Sequence, residues 1–196
     1  MTKRIAFLFL SLFVCQSAFG QTKKWTLNKS HSRIGFSVTH LVISTVKGQF
    51  DDFSLTVLSD KPDFSDSKVE LSITTSSVNT QNERRDNHLR GADFFDVESF
   101  PTMTFKSKGI EKVGDNKYKI TGDLAIKDIT KTVVLNGEFG GAVKAGNGMR
   151  AGFQITGEIN RFDYGVKWDR KMDSGGLVVS EAVKIECDIQ LDNGQR

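Results

Sequence analysis

The side chains in this sequence best suited to acid–base or metal chemistry are its three histidines and their neighbouring carboxylates. His31, His40 and His88 lie far apart, and their spacing gives no paired pattern of the kind that binds zinc. Asp86 and His88 are two positions apart, so on a helix they point to different sides and form no dyad. We therefore predict no catalytic residue, no metal and no cofactor from these groups.

Nucleophile and cofactor motifs are also missing from the sequence. Ser180-Glu181 does not stand in a Gly-x-Ser-x-Gly elbow. The chain has no phosphate-binding loop, no dinucleotide fingerprint and no metal-binding cysteine pattern. Because a catalytic triad can assemble from distant residues, an enzyme that uses His40 or His88 with nearby carboxylates stays an alternative.

The first twenty residues have the pattern of a secretory signal peptide. Lys3 and Arg4 are followed by an apolar run over residues 5–14, which at about ten residues is too short to span a bilayer. Small residues precede a cleavage position near Gly20-Gln21. We predict a signal peptide over residues 1–20, and export to the periplasm or the outside. Lipidation at Cys15 is a weaker alternative.

The exported chain, residues 21–196, has the length of one domain and is nearly neutral. The leader holds two of the 27 basic residues and none of the 24 acidic ones, so a formal charge of +3 becomes +1. This balance gives no reason to expect nucleic acid as a partner. No later segment predicts a membrane span. Cys187 is the one cysteine left, and it shares a strand face with Ile185 and Ile189, so we expect a buried free thiol.

Residues 79–105 break an otherwise alternating chain and predict a short polar helix with an aromatic underside. Thr80 and Glu83 have capping-box spacing, and Asp86 and Arg90 are spaced for an acid–base pair on one helix face. Gly91 suits a left-handed helix stop. Phenylalanines follow at positions 94, 95 and 100. We expect this segment to cap one end of a sheet, with its basic side chains facing solvent or a ligand head group.

On both sides of that segment, apolar and polar residues alternate with the period of β-strands. Ile34, Phe36 and Val38 share one face, and the turn signals at 114–116 and 146–148 predict hairpins. Gly48 suggests a bulge or a kink where the sheet curves, and the apolar spacing shifts by one near residues 51–52, which suggests a bend. We count about eight strands, which fit either an antiparallel barrel or a sandwich.

Several stretches together resemble the YceI-like family of secreted lipocalin-like proteins. The helix-and-aromatic segment is the most specific of them, and the match runs through the whole mature chain in order. The matching stretches are residues 31–38, 40–41, 44–50, 85–97, 100–101, 122–124, 130–131, 163–165 and 180–185.

The resemblance implies an all-β fold: an extended eight-stranded antiparallel lipocalin-like barrel with a short helix and aromatic cap. It also implies that a periplasmic barrel binds or carries a polyisoprenoid, such as a quinone or polyprenyl chain, in an apolar tunnel. The residues that we expect to line this tunnel are Phe36, Val38, His40, Phe50, Leu71, Ile73, Leu89, Phe94, Phe95, Phe105, Leu124, Phe139, Phe153 and Ile155.

Three points stay open at this stage. The chain is a lipid-binding protein, a secreted enzyme acting on a lipid or isoprenoid, or an interaction module whose barrel is filled by its own side chains. Two barrels pairing through an outer face as a homodimer is a further alternative. His40 either hydrogen-bonds a ligand head group or is a structural histidine, and His88 on the polar helix is expected to face solvent.

Overall fold

The structure is a computed structural model that describes residues 23–194. The predicted signal peptide and its cleavage position lie outside the described residues. The strands are β1 (Lys24–Leu27), β2 (Arg33–His40), β3 (Ser44–Phe50), β4 (Phe53–Leu58), β5 (Lys68–Thr74), β6 (Val78–Asn79), β7 (Thr102–Gly114), β8 (Lys117–Ile126), β9 (Ile129–Ala145), β10 (Gly148–Asn160) and β11 (Val179–Asp192). Within this part of the chain they are joined by one α-helix, α1 (Glu83–Arg90), and by 3₁₀ turns at Lys29–His31, Thr75–Ser77 and Arg161–Tyr164.

The sheet closes on itself into an eight-stranded antiparallel barrel, which confirms the barrel prediction over the sandwich. Closure comes from β1, which pairs with β11 on one side and with β4 on the other. Three of the eight strand positions each consist of two segments: β1 with β2, β3 with β4, and β5 with β6. A closed barrel leaves no long sheet edge exposed for pairing with another chain.

The breaks within two of those positions lie side by side. The bend predicted near residues 51–52 separates β3 from β4, and the neighbouring position bends beside it at the Thr75–Ser77 turn. The amide of Asp51 donates to the Ser77 carbonyl at 3.1 Å, so the two bends are bonded to each other. The breaks in these two neighbouring strand positions are therefore held together, next to the start of β6.

Both predicted hairpins are present. β7 and β8 join through a turn in which Asn116 has a φ of 57°, and β9 and β10 join through Gly146, also at 57°. Glycine and asparagine accept this left-handed region at lower cost than other residues. A third tight turn, between β8 and β9, places Lys127 in the same region.

Gly48 does not form the predicted bulge, because the β2–β3 register continues through it without a shift. Its role is close approach: a Cβ atom at Gly48 would lie 2.4 Å from the ring of Phe36 on the neighbouring strand. Gly122 makes the same room for Phe105, whose ring carbon would be 2.4 Å from an added Cβ. Two of the predicted lining rings therefore occupy the space that a side chain on the neighbouring glycine would need.

The β2–β3 hairpin ends in an exposed apolar tip. Val42 is 72% and Ile43 is 86% exposed, and Leu41 and Val42 have φ values of 51° and 64°. A β-branched side chain in this region is strained.

In residues 23–194 no helix is both long and apolar enough to span a bilayer.

Candidate functional site

The barrel encloses an apolar cavity of about 420 Å³. That volume falls within the range of small-molecule sites in proteins. All eight strand positions contribute side chains to its wall, and most of these side chains are aliphatic or aromatic. The cavity is therefore a property of the whole barrel and not of one loop.

The cavity wall follows from strand periodicity. In β2, every second residue from Ile34 to His40 faces inward, and β11 does the same from Val183 to Leu191. Successive side chains in a strand point to opposite faces, so an alternating sequence places its apolar set on the inside of a closed sheet. The face predicted for β2 is thus the face that lines the cavity.

The structure places thirteen of the fourteen predicted lining residues in the cavity wall. They are Phe36, Val38, His40, Phe50, Leu71, Ile73, Leu89, Phe94, Phe95, Phe105, Leu124, Phe153 and Ile155. Their contact with a ligand stays a prediction. The exception is Phe139, whose ring stacks on Phe153 at 5.1 Å and does not line the cavity.

An aromatic cluster explains the position of Phe139. Phe64, from the loop between β4 and β5, reaches into the barrel with its ring centroid 5.5 Å from Phe139 and 4.8 Å from Phe153. Trp25 contacts the other side of Phe64 at 4.7 Å. Because Phe64 occupies the interior at this end, Phe139 packs against Phe64 and Phe153 and does not bound the cavity.

The other end of the barrel is covered by α1 and the aromatic segment after it. Leu89, Phe94 and Phe95 all line the cavity, as expected for the underside of a cap. Phe95 contacts Phe50 with an edge-on ring at 5.5 Å. Phe100 does not share this role: its half-buried ring lies 5.3 Å from the Lys127 ammonium group.

The ends of α1 differ from the prediction. Asn82, not Thr80, caps the helix: its Oδ1 accepts from the amide of Arg85 at 3.0 Å. Thr80 is committed elsewhere, because its amide and hydroxyl both donate to Oδ1 of Asp86. Gly91 has a φ of −72°, so the predicted left-handed stop is wrong.

The predicted pairing of Asp86 with Arg90 is replaced by two separate anchors. Asp86 is buried and holds Thr80 at 2.9 Å and 2.5 Å. Arg90 donates to the carbonyls of Ser76 and Val78, at 2.8 Å and 3.0 Å. Both ends of α1 are therefore bonded to the chain that leads out of β5.

The basic residues of α1 have different surroundings. Arg85 lines the cavity, and it donates to the hydroxyl and carbonyl of Thr80. Arg84 is exposed. Of these two arginines, Arg85 is therefore the one that reaches the cavity wall, where it could contact a ligand head group.

The histidines do not form a joint centre. His31 contacts Asn28 and Ser30 at the surface. His40 and His88 both line the cavity. Among residues 23–194, no group of three or more histidines, cysteines or acidic residues is arranged to hold a metal ion.

The prediction that His88 faces solvent holds only for part of its ring. Nε2 of His88 lies 3.0 Å from Oδ2 of Asp93 at the surface. The ring meets Phe94 and Trp168 edge-on, at 5.0 Å and 5.7 Å. His88 thus forms part of the rim between the cap and the segment that follows β10.

Cys187 is a buried free thiol, as predicted, and it lines the cavity from β11. Burial raises the pKa of this thiol to about 11, against a smaller lowering by the amide of Gly35. The protonated thiol is a poor nucleophile, so Cys187 contributes packing to the wall.

The 3₁₀ turn Arg161–Tyr164 is the part of the site that sequence reasoning missed. Sequence analysis assigns neither Arg161 nor Tyr164 to the cavity wall, yet both are buried and both line the cavity. Two signals were readable. Asn160 caps the turn by accepting from the amide of Phe162, and Gly165 ends it at a φ of 72°.

Arg161 is held by backbone carbonyl groups. It donates to Ser180 at 3.0 Å, Val166 at 2.7 Å and Val179 at 3.2 Å. Burial lowers the pKa of its guanidinium group, while the charges of Glu181 and Asp169 act in the opposite direction. Arg161 therefore fixes the segment after β10 to the start of β11.

Comparison with known proteins places this architecture in a family. The model of the YceI-like domain matches residues 25–191. The UPF0312 protein SA2479 of Staphylococcus aureus is 38% identical over 165 residues, which cover 83% of this chain and 94% of that protein.

Solved structures share the fold. A YceI protein of Campylobacter jejuni superposes with a TM-score of 0.70 at 34% identity, covering 87% of this chain and 98% of that one. A polyisoprenoid binding domain from Saccharophagus degradans, implicated in plant cell wall breakdown, gives 0.64 at 16% identity, covering 89% and 100%. This chain belongs to the YceI-like family.

Proposed function

We propose that this protein binds a long-chain apolar lipid, a polyisoprenoid such as a quinone or polyprenyl chain, inside its barrel and carries it without changing it chemically. The observation that carries this proposal is the cavity of about 420 Å³, whose wall is built from apolar side chains of every strand position. The polyisoprenoid-binding domain of Saccharophagus degradans, which has the same fold, supports the choice of ligand class.

The chemistry of the wall favours an apolar chain. Each CH₂ group moved out of water contributes roughly 0.8 kcal/mol, so a ten-carbon stretch contributes about 8 kcal/mol before the costs of association. No charged group is needed to hold such a chain. Aromatic rings such as Phe36, Phe105 and Phe153 offer the flat surfaces that a prenyl chain can cover.

We further propose that the protein acts outside the cytoplasm, in the periplasm of a double-membraned bacterium. The support for this location is the signal-peptide pattern over residues 1–20. Mass measurement of the protein recovered from the periplasmic fraction tests it. A mature chain that begins at Gln21 is the expected result, and an uncut chain retained in the cytoplasm would contradict it.

A blocking substitution tests the interior site. Ile155 lines the cavity from β10, whereas the next residue, Thr156, is exposed on the outer face. Ile155→Trp fills the cavity, and Thr156→Trp adds the same side chain outside the barrel. We expect delipidated wild type and Thr156→Trp to bind a polyprenol or a quinone in native mass spectrometry.

We expect Ile155→Trp to lose at least about tenfold in affinity, provided that circular dichroism shows a folded barrel. Equal binding by both tryptophan variants would mean that the lipid does not occupy the interior. Absence of binding to wild type, across prenyl lipids and fatty acids, would contradict the proposed function as a whole.

A further inference from the structure

The Arg161–Tyr164 turn brings two buried polar side chains to one place in an apolar wall. Arg161 is 5% exposed and Tyr164 is 1% exposed, and both line the cavity. In a 3₁₀ turn, side chains three positions apart lie on the same side. The cavity therefore has a defined polar spot at the end where β10 finishes.

These two side chains differ in how their hydrogen bonds are used. Arg161 donates three of its five N–H groups to backbone carbonyls, which leaves two. The hydroxyl of Tyr164 is buried and has no hydrogen-bond partner among the described residues. A buried hydroxyl without a partner lowers the stability of the ligand-free protein, and a ligand that supplies an acceptor removes this cost.

The phenol of Tyr164 keeps the proton that it can donate in a hydrogen bond. Burial raises the pKa of its phenol, with a further rise from the charge of Asp163, so the hydroxyl keeps its proton at neutral pH. The neighbouring guanidinium group of Arg161 also carries only donors. Both groups call for an oxygen acceptor on the ligand.

We propose that Tyr164 is the polar anchor of the cavity, and that it donates a hydrogen bond to an uncharged oxygen, a hydroxyl or a carbonyl, at one end of an apolar chain. This inference rests on the proposed function and adds to it the chemistry and orientation of the ligand. The oxygen lies beside the Arg161–Tyr164 turn, and the chain extends along the barrel away from it.

The opposite end of the cavity offers a weaker alternative. β5 and β10 run in the same direction around the barrel, so Ser67, which precedes β5, lies at the other end from Tyr164, which follows β10. The hydroxyl of Ser67 is also buried without a partner. The phenol of Tyr118 near that end is already bonded to the carbonyl of Asp63 at 2.6 Å. No arginine accompanies Ser67 in the wall, so we place the oxygen at Tyr164.

A pair of ligands that differ only in the oxygen tests the anchor. The probes are geranylgeraniol, a prenyl alcohol, and the hydrocarbon of the same chain without its hydroxyl. Tyr164→Phe removes the phenol oxygen and nothing else, so its folding is expected to match wild type. Thr156→Val removes a hydroxyl from the exposed face of β10 and serves as the control.

We expect Tyr164→Phe to lower the affinity for the alcohol by about tenfold and to leave the affinity for the hydrocarbon unchanged. Thr156→Val is expected to alter neither. Equal effects of Tyr164→Phe on both probes, or no effect on either, would overturn the anchor while leaving lipid binding intact. Failure of wild type to bind either probe would overturn the proposed function together with the anchor.

Two further arms fix the orientation and charge. A Ser67→Ala variant with a larger selective loss of the alcohol than Tyr164→Phe would place the oxygen at the other end and overturn the proposal. Geranylgeranyl phosphate presents the same chain with a charged oxygen group. If geranylgeranyl phosphate binds more tightly than the alcohol, the proposal of an uncharged acceptor is wrong. Weaker binding of the phosphate would support the proposal.

Discussion

The buried contact between Asp86 and Thr80 is expected to hold the cap on the barrel, and Asp86→Ala tests it. Oδ1 of Asp86 accepts from the amide of Thr80 at 2.9 Å and from its hydroxyl at 2.5 Å. Both residues are 6% exposed. Hydrogen bonds to a charged group contribute about 1.5–3 kcal/mol each, and their loss leaves two buried donors without an acceptor. We therefore expect the free energy of unfolding to fall by about 3–5 kcal/mol.

A matched carboxylate on the same cap provides the control. Asp93 pairs with His88, but its side chain is 62% exposed, so water replaces the interaction when it is lost. Urea unfolding of the ligand-free protein, followed by tryptophan fluorescence, compares Asp86→Ala with Asp93→Ala. We expect a far larger loss for Asp86→Ala. Similar small losses in both variants would refute the role assigned to the buried contact.

The same variant links stability to function. α1 and the residues after it place Leu89, Phe94 and Phe95 over the cavity. Loosening the start of α1 is expected to speed amide exchange in the helix and to raise the rate at which a bound lipid leaves. Unchanged release from Asp86→Ala, despite faster exchange in α1, would mean that the lipid leaves by another route.

Three other predictions concern single side chains. Val42 is exposed and has a strained φ of 64°, so Val42→Gly is expected to raise the free energy of unfolding by about 0.5–1 kcal/mol. A lower free energy of unfolding in a urea titration would contradict this. The thiol of Cys187, with its pKa raised to about 11 by burial, is expected to resist iodoacetamide at pH 8 until the protein unfolds; rapid labelling of the native protein would contradict its burial. Burial raises the pKa of Asp66, but hydrogen bonds from Ser59 and from two loop amides outweigh it and lower the pKa. Its contribution to stability is therefore present above the unfolded pKa of about 3.9 and lost as pH falls through the folded value. Asp66→Asn should flatten the acid side of the unfolding profile, and an unaltered profile would contradict this.

Sequence pattern was a good guide to the barrel wall because the wall depends on a local rule. Alternation in β2 settled which side chains face inward, and the glycine and asparagine turns settled where strands reverse. Gly48 shows the limit of this reasoning. A glycine in a strand signals an unusual backbone or a close neighbour, and only the tertiary structure revealed the Phe36 ring beside it.

The wrong predictions for Thr80 and Phe139 have one physical cause. Each side chain could contact several different partners, and the sequence does not show which contact forms in the folded protein. Thr80 has the right spacing to cap α1, but Asp86 binds it from six residues away, so Asn82 caps the helix instead. Phe139 has the right strand face, but Phe64 occupies the space in front of it. Both outcomes depend on tertiary contacts that periodicity does not encode.

The place of the Arg161–Tyr164 turn in the cavity wall was overlooked for a related reason. Arg161 is a residue type that is seldom buried. Three backbone carbonyls from two separate segments make its burial possible, and those segments meet only in the folded barrel. The short pattern of Asn160 before the turn and Gly165 after it was the one local signal available.

The most direct test of an interior lipid site is native mass spectrometry of the protein purified from the cells that produce it, followed by organic extraction of whatever it releases. We expect one additional mass per barrel, and an extract whose fragmentation shows an isoprenoid chain with an oxygen at one end. A protein that carries no added mass, and takes up none when quinones, polyprenols and fatty acids are supplied, would contradict the account.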